Sequence, residues 1–286
     1  MAWADKREFD KAIADFSEAM KRGLLDEDIY IRRANAFREK ADYDHAIADY
    51  NEAVLRPLRD GAAYVGRGNV WAEKGEYDKA LADYNEAIRL DRKFALAYLN
   101  RGIVRRYLKA YDAALADFDE AIRLDPKEAS PHYNRAGILF LAHRDGAVEE
   151  IKAVLDLVGW RANLSMYAAL LGHLAARRAH QRGQARTLLD DLAARCDAAA
   201  WPYPIVQYLR GEIGAAGLMA AAVDNDKRTE AHCFLGLDAL ENGRKAAAED
   251  HFRGVKEQGN PRFWEYAISI AELDRLRAEG AEGDGP

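Results

Sequence analysis

Tyr77-Asp78-Lys79-Ala80-Leu81-Ala82-Asp83-Tyr84 is the stretch that decides the fold. The same phrase stands upstream as Tyr43-Asp44-His45-Ala46-Ile47-Ala48-Asp49-Tyr50 and as Phe9-Asp10-Lys11-Ala12-Ile13-Ala14-Asp15-Phe16. Downstream it returns as Tyr111-Asp112-Ala113-Ala114-Leu115-Ala116-Asp117-Phe118. The four copies start at positions 9, 43, 77 and 111, so they are evenly spaced. A fixed period of about 34 residues predicts helical hairpins stacked one on the next, presenting a long concave surface.

Composition agrees with an all-α chain. The 286 residues are 49% hydrophobic, with seven prolines and no run of alternating strand character. A net charge of −6 argues against nonspecific nucleic-acid binding, which needs a concentrated basic footprint. No stretch approaches the roughly 18 apolar residues that span a bilayer. Cys196 and Cys233 show neither metal-ligand spacing nor a disulfide framework, and read as small buried side chains, with a bridge between them left open.

Along the chain, helices are expected over 9–21, then as the pairs 27–39 with 43–55, 61–74 with 77–90, 93–108 with 111–124, and 129–142 with 146–158. Turn chemistry at Arg56-Pro57, Lys74-Gly75 and Asp145-Gly146 separates them, and Pro126 closes the third full unit. In the fourth unit Ile151 stands where the others carry an aromatic. Beyond Gly159 the period fades. A divergent hairpin is expected at 163–181 and 184–195, turning at Arg182-Gly183. Trp201-Pro202-Tyr203-Pro204 then interrupts the array before short helices near 205–210 and 215–223. A repeat-like hairpin follows at 229–241 and 245–257, then a helix over 261–276. The predicted organisation is a regular array over 1–158, a divergent section over 159–228, a hairpin plus terminal helix over 229–277, and a disordered tail over 278–286. Trp3-Ala4-Asp5-Lys6-Arg7-Glu8-Phe9 aligns with Trp71-Ala72-Glu73-Lys74-Gly75-Glu76-Tyr77, so the chain is expected to open partway through the first helix of a hairpin.

Ala114-x3-Phe118, Ala121 and Pro126, with Gly102 upstream, resemble the tetratricopeptide repeat (TPR) pattern. Phe16, Tyr50 and Tyr84 hold the place of Phe118, and Leu235-Gly236 with Ala248-x3-Phe252 fits the same pattern near the C-terminus. The resemblance implies a TPR-type helical-hairpin solenoid coiled into a right-handed superhelix, with a divergent helical C-terminal section. It also implies that a peptide or protein partner lies against the first helix of each hairpin. Those positions are Ile31, Arg32, Asn35 and Arg38; Val65, Asn69 and Glu73; Leu99, Asn100, Ile103, Arg106 and Tyr107; and Tyr133, Asn134 and Phe140. Amides there can pair with a peptide backbone, arginines can grip carboxylates, and aromatics supply anchors. The best-known TPR mode grips a chain terminus with lysines one turn before two asparagines. Leu96 and Ser130 stand in those lysine places here, which argues against it.

Charge also repeats. Arg33, Arg67, Arg101 and Arg135 recur at the same interval as the phrase itself. So do Asp15, Asp49, Asp83 and Asp117, each at a constant distance ahead of one of those arginines. A like-signed partner in every unit reads as scaffolding, each Asp meeting the Arg of the next hairpin, rather than as a ladder for an acidic ligand.

A second resemblance covers roughly 187–276. Trp201-Pro202-Tyr203-Pro204-Ile205-Val206, Tyr208-Leu209, Gly211, Ile213 and Leu218-Met219 look like part of the new-lipoprotein-I (NlpI-like) family. Cys233-Phe234-Leu235-Gly236, Asn260-Pro261-Arg262-Phe263-Trp264-Glu265-Tyr266 and Glu272-Leu273 follow in the same scheme. Members are bacterial envelope TPR adaptors, lipid-anchored at the N-terminus, that bring proteases and wall hydrolases to their work. This chain has no lipidation cysteine near its start, so the expected location is cytoplasmic as the chain is written, and the envelope if a targeting segment precedes it.

No enzyme motif emerges. His173 and His180 share a helix face and His232 precedes Cys233, but no HExxH or cysteine pair supplies a metal site. Glu149-Glu150 and Asp190-Asp191 are adjacent on helices and point apart. The expectation is a non-catalytic adaptor without cofactor, metal or nucleic acid, whose partner is a protein or peptide. The alternatives are a self-assembling scaffold and a regulatory piece of a larger protein. Phe9, Ile13, Phe16 and Met20 lack a full helical partner, and Phe263, Trp264, Tyr266 and Ile270 lie in the terminal helix, so a homodimer is expected.

Overall fold

The computed structural model describes residues 6–56, 61–160, 163–195, 197–199, 201–261 and 263–283. Among them lie sixteen α-helices and no strand. After α1 (Lys6–Lys21) come the hairpins α2 (Glu27–Glu39) with α3 (Tyr43–Val54), α4 (Gly61–Glu73) with α5 (Tyr77–Leu90), and α6 (Ala95–Tyr107) with α7 (Tyr111–Leu124). Next are α8 (Ala129–Leu141), α9 (Ala147–Val158), α10 (Asn163–Arg178), α11 (Arg182–Arg195), α12 (Tyr203–Leu209) and α13 (Ala215–Ala221). The last three are α14 (Asn225–Glu241), α15 (Lys245–Gln258) and α16 (Trp264–Gly283). The chain forms two compact units, residues 1–134 and 135–286, with their boundary inside α8.

Each hairpin turns the same way. The residue after the first helix's last turn takes a left-handed conformation at Ala41, Gly75, Lys109, His143, His180 and Gly243. The next residue's N–H then reaches back into the helix, as in Asp42 to the Phe37 carbonyl (2.9 Å) and Gln181 to the Ala176 carbonyl (2.8 Å). This closing bond satisfies carbonyls left open at the helix end. It also corrects the divergent hairpin: the turn is at Ala179-His180-Gln181, and α11 already starts at Arg182. Likewise α14 starts at Asn225, because the Asp224 side chain caps it by accepting from the Lys227 N–H. The last helix continues to Gly283, into the stretch that composition assigns to disorder. Residues 1–5, where an incomplete first helix is expected, and Cys196 lie outside the described residues; Cys233 is buried.

The repeated aromatic fixes the spacing between helices. A Cβ on Gly68 would lie 2.7 Å from the Tyr84 ring, and one on Gly102 would lie 2.6 Å from the Phe118 ring. Phe252 approaches Gly236 in the same way. Each glycine stands on the first helix of a hairpin and its aromatic on the second, so the ring occupies the space that a side chain would fill. Tyr50, Tyr84, Phe118 and Phe252 are all essentially fully buried. Ile151 is buried too, and it packs against Gly172 of α10. A branched aliphatic thus fills the aromatic's place in the fourth hairpin.

The charge ladder has a different register from the one expected. Arg33 grips Asp49 through two bonds of 2.7 Å, Arg67 grips Asp83 (2.9 and 2.6 Å), and Arg101 grips Asp117 (3.0 and 2.6 Å). The partners belong to the same hairpin, not to successive ones. The third guanidinium arm reaches the preceding second helix, at Ser17 (2.9 Å), Asn51 (2.7 Å) and Asn85 (2.6 Å). In the sequence each of these aspartates has an arginine at a constant distance on either side, and only the fork geometry chooses between them. Arg135 departs from the series and pairs with Glu150 (2.6 Å), while Asp15 is exposed. The arginine therefore ties three helices together, and bidentate charge-assisted bonds make it directional. Replacing Arg67 by alanine leaves the buried Asp83 carboxylate without its fork. The expected loss is about 3 kcal/mol of unfolding free energy, read by urea denaturation. A loss below about 1 kcal/mol, the scale of a solvated surface pair, would show that the ladder is ornamental.

Candidate partner-binding face

The sequence-predicted groove residues divide by burial. In α2, Arg32 is exposed and paired with Asp28 (2.6 Å), and Asn35 is exposed. Arg38 is half-buried between Glu39 (2.8 Å) and Glu73 (3.9 Å). Asn69 of α4 and Asn100 and Tyr107 of α6 are half-buried, as are Tyr133 and Asn134 of α8. Leu99, Arg106 and Phe140 are buried, at 7, 8 and 3% exposure, and offer little surface to a partner.

The amides stand on successive first helices, and two of them are bonded to each other. Tyr50 donates its hydroxyl to Asn35 Oδ1 (2.6 Å), and Tyr84 donates to Asn69 Oδ1 (2.8 Å). Asn100 Nδ2 donates to that same Asn69 oxygen (2.9 Å), linking α6 to α4. The aromatics that space the helices thus also orient the amides of the first helices. Sequence reading selected Asn35, Asn69 and Asn100, but missed that Tyr50 and Tyr84 hold two of them. The signal was available in the alternation of Tyr and Phe at one position, since only Tyr carries a hydroxyl. Burial pushes the Tyr50 phenol up to about 12, with Arg38 opposing and Glu73 and Glu39 adding to the rise. It therefore stays a donor at any physiological pH. Beside the amides, Tyr107 stacks on Tyr77 with ring centres 5.8 Å apart, and the Arg106 guanidinium lies 4.2 Å over the Tyr107 ring. Asn134 turns inward along its own helix, donating to the Ser130 carbonyl (2.9 Å).

In the second unit, residues of the C-terminal motif meet around buried carboxylates. Trp201 Nε1 donates to Glu230 Oε2 (2.7 Å), Tyr167 donates to its other oxygen (3.4 Å), and Asn260 bonds Thr229 and Asp226. Glu272 accepts from Arg178 (2.7 Å) and Arg275 (2.6 Å). Arg178 in turn covers the Phe140 ring at 3.9 Å. Among the described residues no three His, Cys, Asp or Glu side chains converge as metal ligands.

TPR family models match residues 27–56, 68–106 and 95–128, all within the first unit. The first unit therefore carries tetratricopeptide repeats. Among solved structures, a tetratricopeptide repeat protein from Parabacteroides merdae is 16% identical and superposes with a TM-score of 0.60, over 88% of this chain and 98% of that one. Pseudomonas aeruginosa pilF is 16% identical with a TM-score of 0.55, over 88% and 97%. YrrB, described as a TPR protein with an unusual peptide-binding site, is 20% identical with a TM-score of 0.50, over 69% and 98%. These likenesses establish the helical-hairpin fold. No curated protein sequence matches the chain. No helix among the described residues is long and apolar enough to cross a membrane.

Two outcomes follow from this geometry. Asn69→Ala strips the buried Tyr84 hydroxyl of its acceptor and should cost about 1–2 kcal/mol, whereas Asn100→Ala should cost less than half of that; thermal unfolding of both variants gives the comparison. Glu230 is pushed up to about 8, first by burial and then by Glu265, with Trp201 and Tyr167 opposing. The folded protein holds this proton more tightly than the unfolded chain, where the carboxyl titrates near 4.5. Its contribution to stability is therefore greatest below that value and is lost as the pH rises toward 8. Glu230→Gln should raise the melting temperature more at pH 8 than at pH 5; an equal effect at both would contradict the assignment.

Proposed function

We propose that this protein is a non-catalytic adaptor that binds a peptide or protein segment along α2, α4 and α6 of the first unit. The observation that carries the reading is the amide row Asn35, Asn69 and Asn100. Its members stand on successive first helices and keep amide atoms beyond those bonded to the tyrosines and to one another. Such a row suits an extended segment, because an amide serves both backbone N–H and C=O groups. Holding the amides in place beforehand lowers the ordering cost of binding. Exposed Arg32 at one end and Tyr107 at the other supply charge and an apolar anchor.

The finer reading is a bacterial envelope adaptor of the NlpI-like kind, delivering a protease or wall enzyme. It is supported by the bonds of Trp201 to Glu230 and of Asn260 to Thr229 and Asp226, which tie two parts of the motif to α14. A homodimer is part of the proposal as well: Phe16 of α1 is only half-buried, whereas the equivalent Tyr50, Tyr84 and Phe118 are fully covered.

Affinity capture from the native organism tests the binding face. The variant Arg32→Ala/Asn100→Ala is expected to lose at least fivefold in captured partner while its melting temperature stays within a few degrees. Unchanged capture would move the site elsewhere. Light scattering at micromolar protein tests the dimer, which should scatter with twice the mass of the 32.0 kDa chain. A monomer mass would contradict it.

A further inference from the structure

The second unit holds a separate pocket of about 570 Å³ between α10, α11, α14 and the end of α12. Four arginines line it, Arg177, Arg182, Arg186 and Arg210, against two carboxylates, Asp190 and Asp238. That is a local excess of positive charge in a chain whose net charge is −6. The four are not equivalent. Arg177 is matched by Asp238 (3.4 Å) and Glu241, and Arg210 by Asp190 (3.0 Å) and Glu212 (2.6 Å). Arg186 has only the shared Asp190, at 3.6 Å. Arg182 makes no ion pair among the described residues. Both are exposed on α11, one helical turn apart, so they stand one above the other on the same face.

The rest of the lining is less polar. Ala185, Leu189 and Leu209 contribute apolar surface, and His173 lines the pocket from α10. His173 is buried, with only 5% of its surface exposed. Its Nδ1 lies 2.8 Å from the Ala185 carbonyl, and its Nε2 is buried without a hydrogen-bond partner. A carbonyl can only accept, so Nδ1 carries the proton and Nε2 of the neutral ring presents a lone pair. Burial, the largest influence on this ring, keeps it neutral. The pocket edge therefore combines two under-used guanidinium groups, an unused acceptor and apolar walls.

We propose that this pocket is a second binding site, for a short peptide segment that alternates acidic and apolar side chains. A carboxylate of the peptide bridges Arg182 and Arg186, an apolar side chain packs on half-buried Leu209, and a backbone N–H turns to the His173 side of the pocket. A single small anion would satisfy the arginines and leave the remaining volume and the apolar wall unused. Asp190 is the internal competitor, because it occupies both Arg186 and Arg210.

The test uses the full chain and a fluorescein-labelled (Glu-Leu)3 peptide, followed by fluorescence anisotropy at low ionic strength. Saturable binding is expected. Arg182→Ser/Arg186→Ser should weaken it at least tenfold, while Asp190→Asn should tighten it severalfold by freeing Arg186 and Arg210. A (Lys-Leu)3 control should not bind saturably. Both arginines are exposed, so the variants should keep the wild-type circular dichroism spectrum. The groove variant Arg32→Ala/Asn100→Ala should bind the peptide as the wild type does, which separates this site from the face in the first unit. Absence of saturable (Glu-Leu)3 binding, or equal binding by the double arginine variant, would overturn the proposal.

Discussion

The approach of an aromatic ring to the place where a Cβ would otherwise sit governs the helical hairpins. Gly68 under Tyr84, Gly102 under Phe118 and Gly236 under Phe252 are one contact repeated in both units. It sets the distance between paired helices, and everything else is placed by that distance. At that spacing in α4–α5 and α6–α7 an arginine on the first helix closes a two-bond fork on the aspartate of the second, and the fork also forms in α2–α3, where Ala34 replaces the glycine. At the same spacing the Tyr50 and Tyr84 hydroxyls arrive at Asn35 and Asn69. Packing, charge and candidate recognition therefore share one geometric origin in the first unit.

This economy explains why the regular repeats were legible and the rest was not. The even period, the aromatic after a small residue, and the small partner upstream all leave marks in the sequence. The register of the ladder did not. Asp49 lies nearly midway between Arg33 and Arg67, and sequence offers no reason to prefer either. The end of α10 was misplaced because its left-handed turn residue is His180, while glycine at position 183 looked like the better breaker. In the binding face, residue type pointed to Asn35, Asn69 and Asn100, but burial removed Leu99, Arg106 and Phe140 from open surface. Burial is a property of neighbours, and the neighbours of Phe140, such as Arg178, are far along the chain.

The second unit obeys different rules. Its motif residues Trp201, Asn260 and Glu272 spend their polar groups on internal contacts, and burial pushes the Glu230 carboxyl beside Trp201 up to about 8. Its carboxylates are thus a holding device, and its open chemistry lies instead on α11. In the proposed reading the two units divide the work: an amide row with two members held by tyrosines in one, and an arginine-rich pocket in the other.

If the first helices, and not the second, meet the partner, the asparagines provide an internal comparison. Asn35, Asn69 and Asn100 lie on α2, α4 and α6, while Asn51 and Asn85 lie on α3 and α5, bonded to Arg67 and Arg101. Side-chain amide resonances of all five can be followed by nuclear magnetic resonance as the captured partner segment is titrated in. Asn35, Asn69 and Asn100 are expected to shift while Asn51 and Asn85 stay in place. Shifts confined to Asn51 and Asn85, or to none of the five, would contradict a partner lying on the first helices.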